Sequence, residues 1–586
     1  MASAQDFEVK MFRLRCAAWI VSCGAIIASA SVAVADDTII KQFFSGTGAD
    51  AVGIVEAGED IELSGPQALT LDKDGNVFLL DQINGRILKF DPRQPGEQPA
   101  ILKMPDDVQP TDIVVRADDI LVWDGSVRTL KAAAQSTRGI STEPVTLEEV
   151  ITRGIEDPFV TSAFAQMGSQ LPGAASELLD ESTRAVTITK KRPLSRQFVA
   201  SRGKGSVVAD VVPKTDSSVH IEVRSKDDNA RVAELDLRVR NRLGAVEFLE
   251  VDNNGRLYVL AEDIPESTRQ ASTFVARFKP DGKLEGVYEL PLANTPLTRR
   301  FVAISGDGDV FFLRTKADSV AVVGVGFRQL ANAQMIDVRP LRQDGTLVGI
   351  TKNFGAIAAI RPSNRQQVVE TAFAFEGLQW NLTPANYGSD PDSACSGFSR
   401  IRRPWYLQGK VNQQVRGVPY CWGCHGSLAS FRAQIDRGIK AGNVCTRDTP
   451  RGDVAGVDCS AFVSATWGLS VHYTTAAIPA IARPLENPWD LRPGDALNKA
   501  GSHVMLFLRF TPDRKAEVME ASTGGCNGRV CRNVYPLAAL LARGYVPVRF
   551  RGLADDQMVV SAETYKDDAA TSISKKAIAA GNNVHR

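Results

Sequence analysis

The sequence predicts a multidomain protein in which an all-β region is followed by an α+β domain. At 586 residues the chain is too long for one hydrophobic core, since domains usually hold about 100 to 200 residues. Short β-prone runs separated by Asp-Gly and Asn-Gly turns fill the chain from residue 36 to residue 377. Beyond the N-terminal segment, cysteines occur only in the last third. This composition shift favours a second kind of domain there.

The charge balance argues against a polyanionic partner. Lys plus Arg and Asp plus Glu both number 68, so no net positive charge is available to attract nucleic acid or an anionic membrane surface. We therefore expect no nucleic-acid partner. The sequence also gives no pattern that requires a cofactor or a metal ion.

The N-terminal segment has the pattern of a secretory signal. Arg13 and Arg15 precede the apolar run Cys16–Val34, and small residues end at Ala35 before two aspartates. We interpret residues 1–35 as a signal peptide cleaved after Ala35. The alternatives are a membrane anchor and a lipoprotein acylated at Cys23. We expect export to the periplasm or cell envelope, with no stable membrane span once the signal is removed.

Three stretches of the all-β region resemble one another: Leu71–Asp81, Val251–Leu260 and Ala303–Leu313. Each joins two strands through a turn in which Gly can adopt positive φ at low cost, as in a propeller blade. They resemble NHL-type blades. At about 40 to 45 residues per blade, residues 36–385 would hold about six or seven. Calcium binding by the Asp-rich turns is the alternative, but Asp72–Gly75 lacks the other ligands of an EF-hand.

Three further segments complete the predicted organisation. Residues 130–205 are read as an insertion between blades, with a helix-like part and a solvated basic cluster at residues 190–193. Residues 383–392, rich in Pro, Gly and Asp, form the linker to a second domain at residues 386–553. The polar tail at residues 554–586 is expected to be disordered.

The cysteines support an oxidising compartment. Seven lie in the last third, and six of them could pair, which leaves one free thiol of the kind that flags a reactive cysteine. Cys459 is the candidate to stay free. Cys526 and Cys531 flank a short loop and form a natural local pair. The other four cysteines could form two disulfides in three ways, or they could hold a zinc ion as the alternative. They are Cys395, Cys421, Cys424 and Cys445.

Cys459 lies at the predicted start of a helix. Phe462, Val463 and Trp467 recur at helical spacing, and Asp458 is a good N-cap. Unpaired amides and the positive end of the helix dipole favour a thiolate at such a position. The sequence therefore indicates a cysteine nucleophile.

A histidine and an acid follow Cys459 in the order that a catalytic triad needs. His503 opens an apolar strand, and the next strand, Ala516–Ser522, can lie antiparallel to it. That pairing would place Glu520 beside the imidazole, where it would fix the ring tautomer. We predict Cys459, His503 and Glu520 as nucleophile, base and orienting acid.

With these residues named, the last third resembles the NlpC-type family of bacterial cell-wall cysteine peptidases, which implies a papain-like α+β core from about Gly409 to Phe550. The matching motifs are Asp458-Cys459-Ser460 for the nucleophile, Arg492–Asp495 for the loop before the base, His503-Val504 for the base, and Gly417–Gly423 for an upstream tyrosine motif. The resemblance implies that Tyr420 lines the active site. Asp458 and Ser460 are candidate substrate-binding residues.

The chain departs from the family pattern at several positions. The family usually has Gly where Cys424 and Ala461 stand, and often His where Glu520 stands. The connection from Gly423 to Asp458 is also longer than usual, and we infer a disulfide-held flap over the cleft. His425, within this connection, is read as a surface or flap residue.

The function that the resemblance implies is hydrolysis of amide bonds in peptidoglycan stem peptides, with the propeller binding an envelope protein or glycan. Two alternatives stay open. In one, the propeller is a binding or scaffold module and the hydrolase domain is inactive. In the other, the domain is an amidase or acyltransferase that acts on a different amide.

Overall fold

The computed structural model describes residues 36–57, 60–105, 108, 110–116, 119–124, 127–132, 145–150, 195–201, 205–266, 271–293, 295–330, 335–338, 363–388, 402–445 and 452–553. The predicted signal at residues 1–35, the basic cluster at residues 190–193 and the tail at residues 554–586 lie outside these ranges. Within them, no helix is long and apolar enough to cross a membrane.

The N-terminal region is built mostly of β-strands. Its strands are β1 (Thr38–Ser45), β2 (Ala51–Val52), β3 (Ala68–Leu71), β4 (Val77–Asp81), β5 (Arg86–Phe90), β6 (Ala100–Lys103), β7 (Asp112–Arg116), β8 (Asp119–Trp123), β9 (Val127–Ala132), β10 (Val145–Val150), β11 (Ser195–Ser201), β12 (Gly205–Thr215), β13 (Ser218–Ser225), β14 (Arg231–Arg238), β15 (Arg242–Val251), β16 (Leu257–Ile264), β17 (Ser272–Phe278), β18 (Leu284–Glu289), β19 (Val302–Ile304), β20 (Val310–Thr315), β21 (Ser319–Gly324) and β22 (Phe327–Gln329).

These strands form a β-propeller. Four meanders of four antiparallel strands follow in chain order, namely β3 to β6, β7 to β10, β11 to β14 and β15 to β18. A fifth blade combines β19, β20 and β21 with β1 from the start of the chain, where Thr38 pairs with Gly324. The described residues therefore hold five blades, fewer than the six or seven that the sequence predicts for residues 36–385.

The blade turns match the sequence repeats. The Asp72 carboxylate accepts hydrogen bonds from the amides of Asp74 (3.0 Å) and Asn76 (2.9 Å), and Gly75 has φ +81°. Asp252 makes the same bonds to Asn254 and Arg256. Because the carboxylates are engaged by their own turns, the geometry is that of hairpin turns, as the sequence favours over calcium binding.

The C-terminal domain combines helices with one large sheet. Its helices are α1 (Arg365–Gly377), α2 (Pro384–Tyr387), α3 (Leu428–Asp436), α4 (Cys459–Thr466), α5 (Ile478–Ile481) and α6 (Leu537–Ala542). Its strands are β23 (Gln379–Asn381), β24 (Gln414–Arg416), β25 (Lys440–Ala441), β26 (Val454–Ala455), β27 (Ala482–Pro484), β28 (Ala496–Lys499), β29 (His503–Phe510), β30 (Ala516–Ser522), β31 (Arg529–Tyr535) and β32 (Val546–Phe550).

The main sheet is antiparallel, in the order β27-β32-β28-β29-β30-β31. Helix α4 packs on β29 and β30, and α1 packs on α4. Phe462 and Val463 of α4 are fully buried in the resulting core together with Phe375 of α1. Burial of such large apolar side chains stabilises the domain by about 1.5 to 3 kcal/mol each, so α4 is held firmly against the sheet.

The structure corrects three boundaries of the sequence interpretation. Helix α1, which the sequence assigns to the propeller at residues 36–385, lies in the core of the C-terminal domain, and Ser363 already pairs with Leu553. The C-terminal domain thus begins before residue 386. Residues 145–150 and 195–201, within the predicted insertion, are strands of blades. Residues 130–132 and 205 of that insertion are also described, and its remaining residues lie outside the described ranges.

The predicted flap between Gly423 and Asp458 is also corrected. In its described part, Phe431 and Ile435 of α3 are buried in the domain core, and Phe431 packs edge-on against Trp380 with ring centroids 5.6 Å apart. These two residues are four apart and share one face of the helix. Helix α3 of this segment therefore belongs to the core and is not a flap, whereas Val444 of the same segment lines the interdomain cavity.

The two regions share an extensive interface. Helix α6 is buried along its whole length because one side contacts the propeller core and the other contacts the C-terminal core. The Ala539 amide donates to the Glu262 carboxylate of β16 (3.0 Å), and burial raises the pKa of this carboxyl to about 7. The Arg242 guanidinium lies over the Trp489 ring, 4.2 Å from its centroid.

A buried charge cluster joins α1, the 492–495 loop and β32. Asp495 is fully buried and accepts from Arg365 (3.0 Å) and Arg549 (2.8 Å). We predict that Asp495→Asn, which leaves two buried guanidinium groups without their shared carboxylate, destabilises the C-terminal domain by about 3 to 5 kcal/mol. Guanidinium chloride denaturation followed by tryptophan fluorescence measures the shift in midpoint.

The matched control is Asp281→Asn, which breaks the exposed pair with Lys283 and should leave the midpoint unchanged. Equal midpoints for Asp495→Asn and Asp281→Asn would contradict the structural role of the cluster.

Candidate functional site

Helix α4 begins as the sequence predicts. Asp458 is the N-cap, and its carboxylate accepts from the Ala461 amide (2.7 Å) and the Gly423 amide (3.1 Å). A short carboxylate acceptor suits this position because the first-turn amides have no partner within the helix. Cys459 is therefore fixed at the first turn of α4, with no exposed surface.

His503 and Glu520 meet on neighbouring strands. Strands β29 and β30 pair antiparallel, and His503 Nε2 lies 2.6 Å from Glu520 Oε2. The other oxygen of Glu520 accepts from Asn533 Nδ2 and the Tyr535 hydroxyl, both at 2.7 Å. Three donors thus hold the carboxylate. Since Nε2 is engaged, Nδ1 is the ring nitrogen left for proton exchange.

The environment of this pair shifts both pKa values. Burial alone would lower the pKa of the His503 imidazole, but the hydrogen bond and negative charge of Glu520 reverse the effect and raise it. Burial would raise the pKa of Glu520, whereas His503, Tyr535 and Asn533 together lower it. The pair therefore favours a protonated imidazole beside an ionised carboxylate.

Cys459 lies against the strand that carries His503. The Val504 amide, next to His503, is close enough to the Cys459 sulfur to lower its pKa, and α4 packs directly on β29. The helix that carries Cys459 thus packs on the two strands that carry the His503–Glu520 pair. Cys459 is the free cysteine of the described residues.

The protonation state of Cys459 differs from the sequence expectation of a thiolate. Burial raises the pKa of the thiol well above its usual value, and the negative charges of Asp60 and Asp458 raise it further. The Val504 and Ser460 amides act in the opposite direction but do not compensate. The helix-start effect is thus outweighed by desolvation and by carboxylates, so the site favours the protonated thiol.

The propeller supplies one of these carboxylates. Asp60, in the connection between β2 and β3, has φ +55° and accepts from the Ser460 hydroxyl (2.8 Å) and the Thr475 amide (2.8 Å). His472 Nε2 lies 2.7 Å from the Ser460 hydroxyl. A propeller side chain is thereby inserted at the first turn of α4, beside the candidate nucleophile.

Asp60, Asp458 and His472 could also be metal ligands, because their ligand atoms lie within 4.8 Å of one another. Ser460, Thr475 and main-chain amides already hydrogen-bond both carboxylates. These bonds account for the geometry of the cluster without an ion.

A cavity of about 610 Å³ lies between the propeller and the C-terminal domain. His503 and Tyr420 line it, as do Asp60 and Glu62 of the propeller. Of the three predicted substrate-binding residues, Tyr420 lines the cavity, whereas Asp458 and Ser460 do not. Both are buried, and their side-chain oxygens are engaged in the cluster with Asp60.

The cysteine pairing selects among the predicted alternatives. Cys526 and Cys531 form the expected disulfide, and Cys421 is bonded to Cys424. Cys445 is also disulfide-bonded. The described cysteines among the four are therefore disulfide partners and not zinc ligands.

Sequence reasoning missed Asp60, Thr475 and His472. His472 stacks on His425, with ring centroids 5.5 Å apart. His425, which the sequence predicts to be a surface or flap residue, therefore contacts the histidine that approaches the Ser460 hydroxyl. The sequence signal for His472 was its position just after the nucleophile helix. Asp60 lies 400 residues from Ser460, and no local motif marks it.

Comparisons with known proteins show no family for this chain. No protein-family model matches the chain, and no curated protein matches it. It is similar to the structure of streptogramin B lyase (12% identity, TM-score 0.22, covering 46% of this chain and 97% of that one). It is also similar to a luciferin-regenerating enzyme (13%, 0.24, 48% and 98%) and to the PQQ-bound aldose sugar dehydrogenase of Streptomyces coelicolor (11%, 0.24, 48% and 100%).

The strand pairing described above, and not these low scores, defines the propeller. The chain is thus a β-propeller joined to a second domain. That domain carries a free, buried cysteine on a helix that packs on the strands of a hydrogen-bonded His–Glu pair.

Asp60 makes the electrostatic contribution of the propeller testable. We predict that Asp60→Asn lowers the pKa of the Cys459 thiol, because it removes a nearby negative charge while keeping a side chain of the same shape. The rate of iodoacetamide labelling of Cys459, measured against pH, should rise at a lower pH than in the unchanged protein. Asp74→Asn, an exposed change in a blade turn, is the control, and identical profiles for all three proteins would refute the assignment.

Proposed function

We propose that this protein is an exported cysteine hydrolase of the NlpC type, with a papain-like α+β domain docked on a propeller. The observation that carries the proposal is the free Cys459 at the first turn of α4, packed against the strand of a His503 that is held by Glu520 at 2.6 Å. Nucleophile, base and orienting acid in this arrangement are what covalent acyl transfer requires. The motifs around these residues resemble those of the NlpC-type family, which supports the same proposal.

The proposed reaction proceeds through a thioester. The reacting form has a neutral His503 imidazole, reached when the imidazolium favoured by Glu520 loses its Nδ1 proton to water. Its Nδ1 then accepts the proton of the Cys459 thiol as the sulfur attacks the amide carbonyl, and the imidazolium formed in this way gives that proton to the leaving amine. Water, deprotonated by the same imidazole, hydrolyses the thioester and restores the thiol. Because the thiol is protonated at rest, its deprotonation accompanies attack. The Cys459 main-chain amide is the candidate oxyanion donor, worth about 10² to 10³ in rate.

The proposed substrate is the stem peptide of peptidoglycan, which rests on the family resemblance. Tyr420 fits a substrate-lining role because it faces the cavity that His503 also lines. The propeller is proposed to bind an envelope protein or glycan and so to deliver the hydrolase domain to the wall.

One observation favours a second candidate, in which the propeller works as a binding or scaffold module and the hydrolase is silent. Cys459 has no exposed surface, and Asp60 occupies the first turn of its helix. In this alternative the docked propeller keeps the nucleophile out of reach.

The direct test incubates the mature protein with isolated peptidoglycan and follows the released fragments by mass spectrometry. We expect peptide release by the unchanged protein and by the surface variant Ser470→Ala, and none by Cys459→Ala, which lacks the nucleophile. Release of another amine from a non-wall amide would point to an amidase. Absence of release by both the unchanged and the Asp60→Asn proteins would contradict wall hydrolysis.

The pH dependence tests the role of Glu520. The Glu520 charge raises the pKa of His503, so Glu520→Gln should lower this pKa and move the acid limb of kcat/KM to lower pH. Loss of imidazolium stabilisation should also reduce kcat on the order of 10²-fold. A pH–rate profile of peptide release measures both. An unshifted acid limb with full kcat would exclude Glu520 as the orienting acid.

A further inference from the structure

Residues of both regions line the interdomain cavity, among them a buried arginine that forms no ion pair with a described carboxylate. Propeller residues Gln67, Gln82 and Arg299 line it on one side, and His503, Tyr535 and Arg543 line it on the other. Both regions therefore contribute to any ligand site here. The base proposed for catalysis opens into the same space.

Arg543 is the distinctive group. It follows α6 directly as the C-cap residue, has only 3% of its surface exposed, and lines the cavity. Its buried Nε has no hydrogen-bond partner among the described residues. Its guanidinium lies over the Phe301 ring, 5.2 Å from the centroid, and no described carboxylate forms an ion pair with it. A buried guanidinium without a carboxylate is costly, so its retention facing a cavity points to an incoming anion.

The carboxylates of the cavity are already engaged elsewhere. Glu62 accepts from the Tyr545 hydroxyl (3.1 Å) and lies 3.8 Å from Lys499 Nζ. Asp60 is bound by Ser460 and Thr475. Neither forms an ion pair with Arg543, although the Glu62 charge is close enough to act on it, and burial lowers the pKa of Arg543 only to about 10, so the guanidinium keeps its positive charge.

A second guanidinium strengthens the positive wall. Arg299 of the propeller is 7% exposed, lines the same cavity, and is close enough to Tyr535 and Glu520 to feel their charges. Arg543 and Arg299 come from different regions of the chain. The positive wall is therefore complete only when the propeller and the C-terminal domain are docked.

We propose that this cavity binds a carboxylate of the substrate at Arg543, with Arg299 as the second positive group, beside the amide that the site would cleave. This inference rests on the proposed function for the position of the cleaved bond, but the binding itself does not require hydrolysis. A guanidinium fork matches a carboxylate in two parallel hydrogen bonds. A phosphate dianion suits the cavity less because Asp60 and Glu62 line it as well.

The test uses full-length Cys459→Ala protein, so that binding is measured without turnover. Isothermal titration compares N-acetyl-alanyl-alanine, in both the L and D series, with the same dipeptides as carboxamides and with inorganic phosphate. We expect at least one free acid to bind about tenfold or more tightly than its amide and than phosphate. Equal binding of acid and amide in both series, or tighter binding of phosphate, would overturn the carboxylate assignment.

Substitutions locate the site. In the same background, Arg543→Gln should abolish the preference for the acid and Arg543→Lys should keep part of it, while the exposed control Arg551→Gln should leave it intact. Thermal unfolding checks that each variant folds. The comparison of free acid with carboxamide in the Cys459→Ala protein does not depend on the Arg543 variants, because Arg543 is intact there. A preserved preference in folded Arg543→Gln protein would place the site elsewhere.

The two proposals fail separately. A protein that prefers the acid but cleaves no amide would contradict hydrolysis alone. A hydrolase whose kcat/KM is equal for acid and carboxamide forms of one peptide would contradict the carboxylate site alone.

Discussion

The site depends on the hydrogen bonds that Asp60 of the propeller accepts from Ser460 and Thr475 of the C-terminal domain. One propeller carboxylate, held with positive φ, satisfies Ser460 and Thr475 across the interface. It thereby fixes the first turn of α4 to the propeller and adds a negative charge beside the thiol. Position and acidity of Cys459 are consequently properties of the docked pair of domains and not of the C-terminal domain alone.

The buried charges are arranged so that each group has a distinct task. Glu520 has three donors and raises the pKa of the imidazole, whereas Asp60 and Asp458 oppose a charged sulfur. A resting thiol beside an imidazolium holds two protons more than a thiolate beside a neutral imidazole. This arrangement suits a nucleophile that is protected until a ligand enters, since a neutral thiol reacts slowly with oxidants and electrophiles.

Local patterns made much of the site predictable. The cap at Asp458, the helical spacing after Cys459, the strand pair that joins His503 to Glu520, and the disulfide between Cys526 and Cys531 all follow from residues near one another in sequence. Asp60 and Arg543 could not be found this way, because their roles arise only when distant segments dock. The domain boundary was misplaced since α1 has no sequence feature that ties it to one core over the other.

Closure of the propeller by its first strand has a kinetic consequence. Thr38 pairs with Gly324, so the last blade is incomplete until nearly the whole region has been synthesised, and such long-range pairing is slow to form. Because α6 contacts the core of that ring, docking of the C-terminal domain is expected to follow ring closure. The charged wall that both domains build would then be among the last parts of the molecule to mature.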